Sequence, residues 1–251
     1  MTPEQLVLLF VAASLGGFAF GVTGFAFGVI ASLFLHHAFL PRDVVFIVVG
    51  GGFLLNLLAL PRFWADIDWR GALPYLAGAT FGMPLGFVLL SHLPAGSARL
   101  VSSLIIISYC VFALFRQGTV PFRLPVLWGR VADTGIGFAG GVIGGVSGLG
   151  PLLPNVWYGL CGKDKRQARG LAQPYGLYVQ GGMFWWLLWS GGNQTEGLPT
   201  ISLAVVPMLV GAWLGLKLFD GLSLVAFRSV IIWLSLFGAA VLLVRQLMVL
   251  A

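Results

Sequence analysis

Charge is scarce in this chain. Asp, Glu, Lys and Arg make up 9% of its 251 residues, against roughly 25% in a soluble domain. A chain this apolar cannot cover its surface with charge, so the bilayer is its expected solvent. Cysteine is scarce too. Cys110 and Cys161 lack metal-ligand spacing and read as two free thiols, so no metal site is expected. The phosphate-binding pattern G-x-x-x-x-G-K-[ST] is missing, which argues against ATP hydrolysis by this chain. The first residues, "MTPEQLVLLF", lack the basic region of a cleaved signal peptide. No stretch reads as a linker or a soluble domain. No Asp, Glu or Lys falls in the middle of an apolar span, and Asp133, the nearest carboxylate, stands near the start of its segment. A proton pump or proton-coupled carrier usually needs a titratable group at that depth. The chain calls for no cofactor and no catalytic residue.

What the chain has in abundance is apolar residues, 59% of the total, and 36 glycines. Glycine at that frequency suits close helix packing in lipid. The net charge of +6 comes from 14 Lys and Arg. In a membrane protein such charges set orientation, so no nucleic-acid partner follows from them. The partners expected are the lipid bilayer and a small solute, and nothing in the chain fixes an oligomeric state.

An internal repeat organises the sequence. "GVTGFAF" at Gly21–Phe27 overlays "GVSGLGP" at Gly145–Pro151 with an offset of 124. The same offset places Thr23 on Ser147, Gly24 on Gly148, Arg42 on Arg166 and Asn56 on Gln180. The offset then becomes 129, placing "GMPLG" at Gly82–Gly86 on "GAWLG" at Gly211–Gly215, and Arg99 on Arg228. Matches in this order imply duplication within a single membrane domain, 1–251, with repeat 1 at about 6–116 and repeat 2 at about 131–248.

The fold class expected is an all-α polytopic membrane protein of about eight hydrophobic segments. Each half has three spans: Val44–Leu60, Gly71–Leu90 and Leu100–Phe115, then Leu171–Ser190, Ile201–Leu218 and Val225–Val244. Each is near the ~20 residues that cross a bilayer. The remaining run in each half, Leu6–Phe39 and Val131–Leu160, is too long for one span and has a glycine cluster near its middle. Each is therefore either a tilted, broken helix or a re-entrant pair of half-helices. If both cross fully, the basic residues divide 8 to 6 between the two sides. If both are re-entrant, 11 fall on one side and only Arg42, Arg99 and Arg245 on the other. The second division fits the positive-inside rule and makes the second half inverted. Both arrangements put the two termini outside.

"GGVIGGVSGLGPLLPN", Gly140–Asn155, carries the chemistry. Irregular backbone at membrane depth survives only when buried in protein or lining a wet cavity. A half-helix starting near Ser147–Gly148 would aim unpaired N–H groups, which attract anions, at the bilayer centre. Thr23–Gly24 would supply a second set. The substrate-binding candidates are Gly21, Thr23, Gly24, Asn56, Gly145, Ser147, Gly148 and Gln180. The plain alternatives are that these glycines only pack helices, and that Asn56 and Gln180 only bond between helices. Arg99 and Arg228 lie near span ends, where they orient and snorkel or attract anions to the pore mouth. Asn155, Gln173, Tyr175 and Tyr178 are further polar positions, and Trp185, Trp186 and Trp189 read as interfacial anchors.

These features together resemble the TauE/SafE family of membrane proteins, the sulfite exporter family. The likeness rests on "GVTGFAFG" and "GGVSGLGPLLPN" near the start of two halves, eight apolar segments and the basic loop "KDKRQARG". It covers essentially the whole chain. It implies transport, expected as export, of sulfite or another small sulfur-containing anion such as an organosulfonate across the cytoplasmic (inner) membrane. Phe27 stands where the second half has Pro151, so the two broken segments need not act equally. A passive anion channel and a purely structural membrane subunit remain rival readings. The G-x-S-G pattern of rhomboid-type serine proteases also fits Gly145–Gly148. A serine nucleophile needs a base within reach, and His36, His37 and His92 all fall at span ends or in loops.

Overall fold

The computed structural model describes residues 1–115, 125–190, 194–219 and 236. All regular structure among them is helical: α1 (Pro3–Thr23), α2 (Phe27–Ala38), α3 (Pro41–Phe63), a 3-10 turn (Trp64–Asp66), α4 (Trp69–His92), α5 (Ala95–Phe115), α6 (Val126–Ser147), α7 (Leu152–Leu160), α8 (Lys165–Trp189) and α9 (Gln194–Phe219). Among these residues, four helices are long and apolar enough to cross a membrane: α1, α3 with its 3-10 extension, α4 and the greater part of α9. The predicted span Val225–Val244 lies, apart from Leu236, outside the described residues.

Local chemistry sets the helix ends. Thr2 caps α1 in a reciprocal box with Gln5, and Pro3 fills the first turn, where its missing N–H costs nothing. Proline also opens α3 at Pro41. Asp68 caps α4 through the Gly71 N–H. Asp164 caps α8 through the Arg166 and Gln167 N–H groups, and Gln167 answers back to Asp164 N. The basic loop "KDKRQARG" is thus largely the first turns of α8, which begins six residues before the span predicted from Leu171.

Both long runs break at glycine, and each run doubles back on itself. Gly24 ends α1 at φ 89° and Gly148 ends α6 at φ 76°, the left-handed conformation that glycine adopts without strain. Gln5 Nε2 donates to Ala38 O, so the start of α1 lies beside the end of α2. A Cβ on Gly16 would stand 2.9 Å from the Phe27 ring, so α2 begins level with the middle of α1. The second run repeats this. Trp157 Nε1 of α7 donates to Asp133 Oδ1 of α6 at 2.7 Å, and Gly140 lies against Gly150 and Pro154. Asp133 also accepts the Tyr75 hydroxyl, tying α4 to this hairpin.

Two seams of glycine join the hairpins to the rest. Along one, Gly17 and Gly21 of α1 lie against the α9 backbone, and Gly211 and Gly215 of α9 against that of α1; along the other, Gly141 and Gly145 of α6 and Gly82 and Gly86 of α4 do the same. Gly21 approaches Gly215 Cα, and Gly145 approaches Gly86 Cα, backbone against backbone. In lipid no hydrophobic effect drives helices together, so such close approach is a main source of packing attraction. The seam glycines stand 124 apart between α1 and α6 and 129 apart between α4 and α9. α3 and α8 run antiparallel through the centre: Gly52 meets the Gln180 amide, and Gly176 meets Asn56.

Candidate functional site

The two breaks lie side by side. A Cβ on Gly28, in the first turn of α2, would stand 2.9 Å from Leu149 Cδ2 and 3.7 Å from Gly148 O. Ala26, Val29 and Leu33 share an apolar cluster with Leu149 and Leu152. The start of α2 therefore packs against the turn that follows α6. The two turns also have matching internal bonds. The Gly24 N–H donates to Phe20 O, and the Gly148 N–H to Gly144 O.

Thr23 and Ser147 shape these turns. Thr23 Oγ1 donates to Ala19 O at 2.7 Å and accepts from the Phe25 and Ala26 N–H groups. Ser147 Oγ donates to Ile143 O at 2.7 Å and accepts from Leu149 N–H. A hydroxyl has one proton, and in both residues it goes to a carbonyl one helical turn back. In this conformation the two hydroxyls cap the breaks instead of offering donors outward. Gly21 and Gly145 sit in the seams, where helix packing accounts for both.

Asn56 and Gln180 meet. Asn56 Nδ2 donates to Gln180 Oε1 and to Gly52 O, each at 2.8 Å, and both residues are buried. Gln173 Nε2 donates to Asn56 O. The carbonyl partners fix which end of each amide is nitrogen. Two amide oxygens of the cluster, Asn56 Oδ1 and Gln173 Oε1, take no hydrogen bond, and Gln180 keeps its Nε2 group as a donor. Anion oxygens are acceptors as well, so Asn56 offers an anion no donor here. A double-mutant cycle of Asn56→Ala and Gln180→Ala, read by unfolding in detergent, is expected to give a coupling of about 0.5–1.5 kcal/mol. Additive single effects would show that the pair does not bond.

Of the remaining candidates, Arg99 falls in α5, and Arg228 lies outside the described residues. An apolar groove of ≈ 470 Å³ runs along the second hairpin, with Ile143, Leu152 and Trp157 in its wall and Ser108 and Tyr109 as its polar members. A second cavity, ≈ 510 Å³, opens between the start of α3 and the ends of α4 and α8, and Arg42, Ser91 and Ser190 contribute to its lining.

One residue at the first break was not anticipated. Arg169, in the second turn of α8, is 2% exposed. Its Nη1 donates to Gly21 O at 3.3 Å, and its Cζ lies 4.4 Å from the Phe63 ring centroid and 5.5 Å from that of Phe20. A Cβ on Gly24 would stand 2.8 Å from both Arg169 Cδ and Nε. The signal for it was the Asp164–Gln167 pair, a helix-start pattern that carries α8 through residue 169.

Helical structure throughout the described residues, with four helices long and apolar enough to cross a bilayer, describes a membrane protein. The family model described as sulfite exporter TauE/SafE matches residues 9–242. The chain belongs to the TauE/SafE family. No curated protein and no solved structure matches it. TauE/SafE proteins are transporters rather than enzymes, so this chain is a multi-pass membrane transport protein whose partners are a small anion and the lipid bilayer.

Proposed function

We propose that this TauE/SafE protein exports a small sulfur-containing anion, such as sulfite or an organosulfonate, across the cytoplasmic membrane. The observation that carries the reading is the pair of left-handed glycine turns, Gly24 and Gly148, each ending a helix whose run doubles back, with the two lying side by side. In this reading α1–α2 and α6–α7 are re-entrant hairpins, and the chain is two inverted halves with both termini outside. The reciprocal seams and the antiparallel meeting of Asn56 with Gln180, 124 residues apart, support duplication about an axis in the membrane plane. The site lies where the hairpins meet, and rocking of one half against the other opens it to each side in turn.

Membrane potential supplies the drive. With the cell interior negative, each negative charge that leaves gains about 2.3 kcal/mol per 100 mV, and a doubly charged anion about twice that. Flux of sulfite and methanesulfonate from proteoliposomes tests this. An inside-negative potential is expected to accelerate efflux, with saturation at high substrate. Potential-independent efflux removes the proposed drive, absence of flux for both anions removes the function, and unitary channel currents replace the carrier with a channel.

A further inference from the structure

We infer that the cavity between the start of α3 and the ends of α4 and α8 binds an anionic phospholipid, with the lipid phosphate on Arg42. This goes beyond the transport reading and does not rest on it. The internal repeat points there. Arg42 and Arg166 each stand second in their helix, α3 and α8. Arg166 has a carboxylate of its own, Asp66, 3.6 Å away and just beyond the end of α3. The offset of 124 that places Arg42 on Arg166 places Asp66 on Ser190, just beyond the end of α8. Arg42 and Ser190 both line the cavity of ≈ 510 Å³. Where one half has an arginine with its carboxylate, the other has an arginine, a serine and an open space. The serine brings no charge, and its Oγ donates back to Leu187 O at 3.3 Å. Arg42 is exposed and has no ion-pair partner among the described residues. It is the only charged side chain in the lining, which its chain neighbour Asp43 does not join. The dipole at the start of α3 is positive as well, so nothing in the helix itself answers the charge of Arg42.

The rest of the cavity selects the anion. Leu40, Phe87, Val88, Leu93 and Trp186 make its wall apolar. Trp186 lies flat on Phe87, with ring centroids 5.5 Å apart and an interplanar angle of 8°. Leu40, Val88 and Trp186 are exposed, so the wall opens to the surrounding lipid. A small inorganic oxoanion gains nothing from such a wall. A phospholipid carries a phosphate and acyl chains on one molecule, and apolar contact favours its binding. The first turn of α3 and the ends of α4 and α8 meet here, which sets Arg42 at headgroup depth with its stem along the apolar wall. The guanidinium fork matches two phosphate oxygens, and the phosphate takes the place that Asp66 fills beside Arg166.

The experiment is thermal unfolding of the purified full chain in detergent with added dioctanoyl phosphatidylglycerol, dioctanoyl phosphatidylcholine or sodium sulfite. It is run on the parent, Arg42→Gln, Ser190→Asp and Arg166→Gln. A ligand that binds only the folded chain raises its melting temperature with concentration. Phosphatidylglycerol is expected to do this for the parent and equally for Arg166→Gln, whereas phosphatidylcholine, with no net charge, is expected to do so much less. Arg42→Gln removes the cation, and Ser190→Asp supplies an internal carboxylate in the phosphate's place. Each is expected to raise the half-saturating phosphatidylglycerol concentration about tenfold. Ser190→Asp decides the matter if Arg42→Gln does not fold. A parental response in folded Arg42→Gln or Ser190→Asp overturns the site. Phosphatidylcholine acting as strongly as phosphatidylglycerol overturns the recognition of charge. A sulfite response that Arg42→Gln abolishes gives the cavity to a free anion and overturns the lipid, and a parent that responds to none of the three overturns the inference altogether.

Discussion

Alanine at Gly82, Gly86, Gly211 or Gly215 is expected to destabilise the protein by about 3 kcal/mol each, near the upper end for overpacking. A Cβ on Gly82 would overlap the carbonyl oxygen of Phe138, and one on Gly211 that of Ser14. On Gly86 it would stand 2.8 Å from Gly145 Cα, and on Gly215 3.0 Å from Gly21 Cα. Backbone atoms cannot rotate aside as side chains do, so the facing helices must separate along the whole seam. The same substitution at Gly129 or Gly135 of α6, where a Cβ meets nothing within 4 Å, provides the contrast. There alanine is expected to be neutral or to stabilise by roughly 0.5–1 kcal/mol through helix propensity. Thermal unfolding in one detergent across all six variants checks this. Gly82→Ala as stable as the parent would mean that the seam is not closed in the bilayer.

Much of this architecture was legible before the structure, for physical reasons that differ by residue. A charge content of 9% leaves a chain few alternatives to lipid, and a glycine cluster midway along an apolar run too long for one span marks a break. The turns at Gly24 and Gly148 were legible for that reason. Glycine does not announce which neighbour approaches it. Gly21 and Gly145 therefore read equally as site or seam, and the structure puts both against a facing backbone. The offset of 124 related Asn56 to Gln180, but a repeat relation does not say whether equivalent residues touch. They do touch, because they sit on antiparallel helices at the centre. Arg169 was hidden by its setting. In "KDKRQARG" it is one of four basic residues, and only the Asp164 cap, by starting α8 early, carries it away from the surface. The bridge from Tyr75 through Asp133 to Trp157 joins three helices and has no sequence pattern.

The two breaks are alike in backbone and unlike in what they touch, which makes paired substitutions informative. Alanine at Gly24 (φ 89°) or Gly148 (φ 76°) must adopt the left-handed region, at about 1–2 kcal/mol. Its Cβ would also stand 2.8 Å from Arg169 at the first site and 2.9 Å from Val48 Cγ1 at the second. Both alanine variants are expected to melt lower by similar amounts. Asparagine tolerates left-handed backbone, so Gly24→Asn and Gly148→Asn separate strain from contact. Gly148→Asn is expected to regain the backbone share of the loss, about 1 kcal/mol, while its Cβ still meets Val48. Gly24→Asn is expected to regain less, because a side chain there presses on the buried Arg169 guanidinium whatever its backbone preference. Melting curves on the four variants test this. Equal recovery in Gly24→Asn and Gly148→Asn would show that the Arg169 contact does not set the two turns apart.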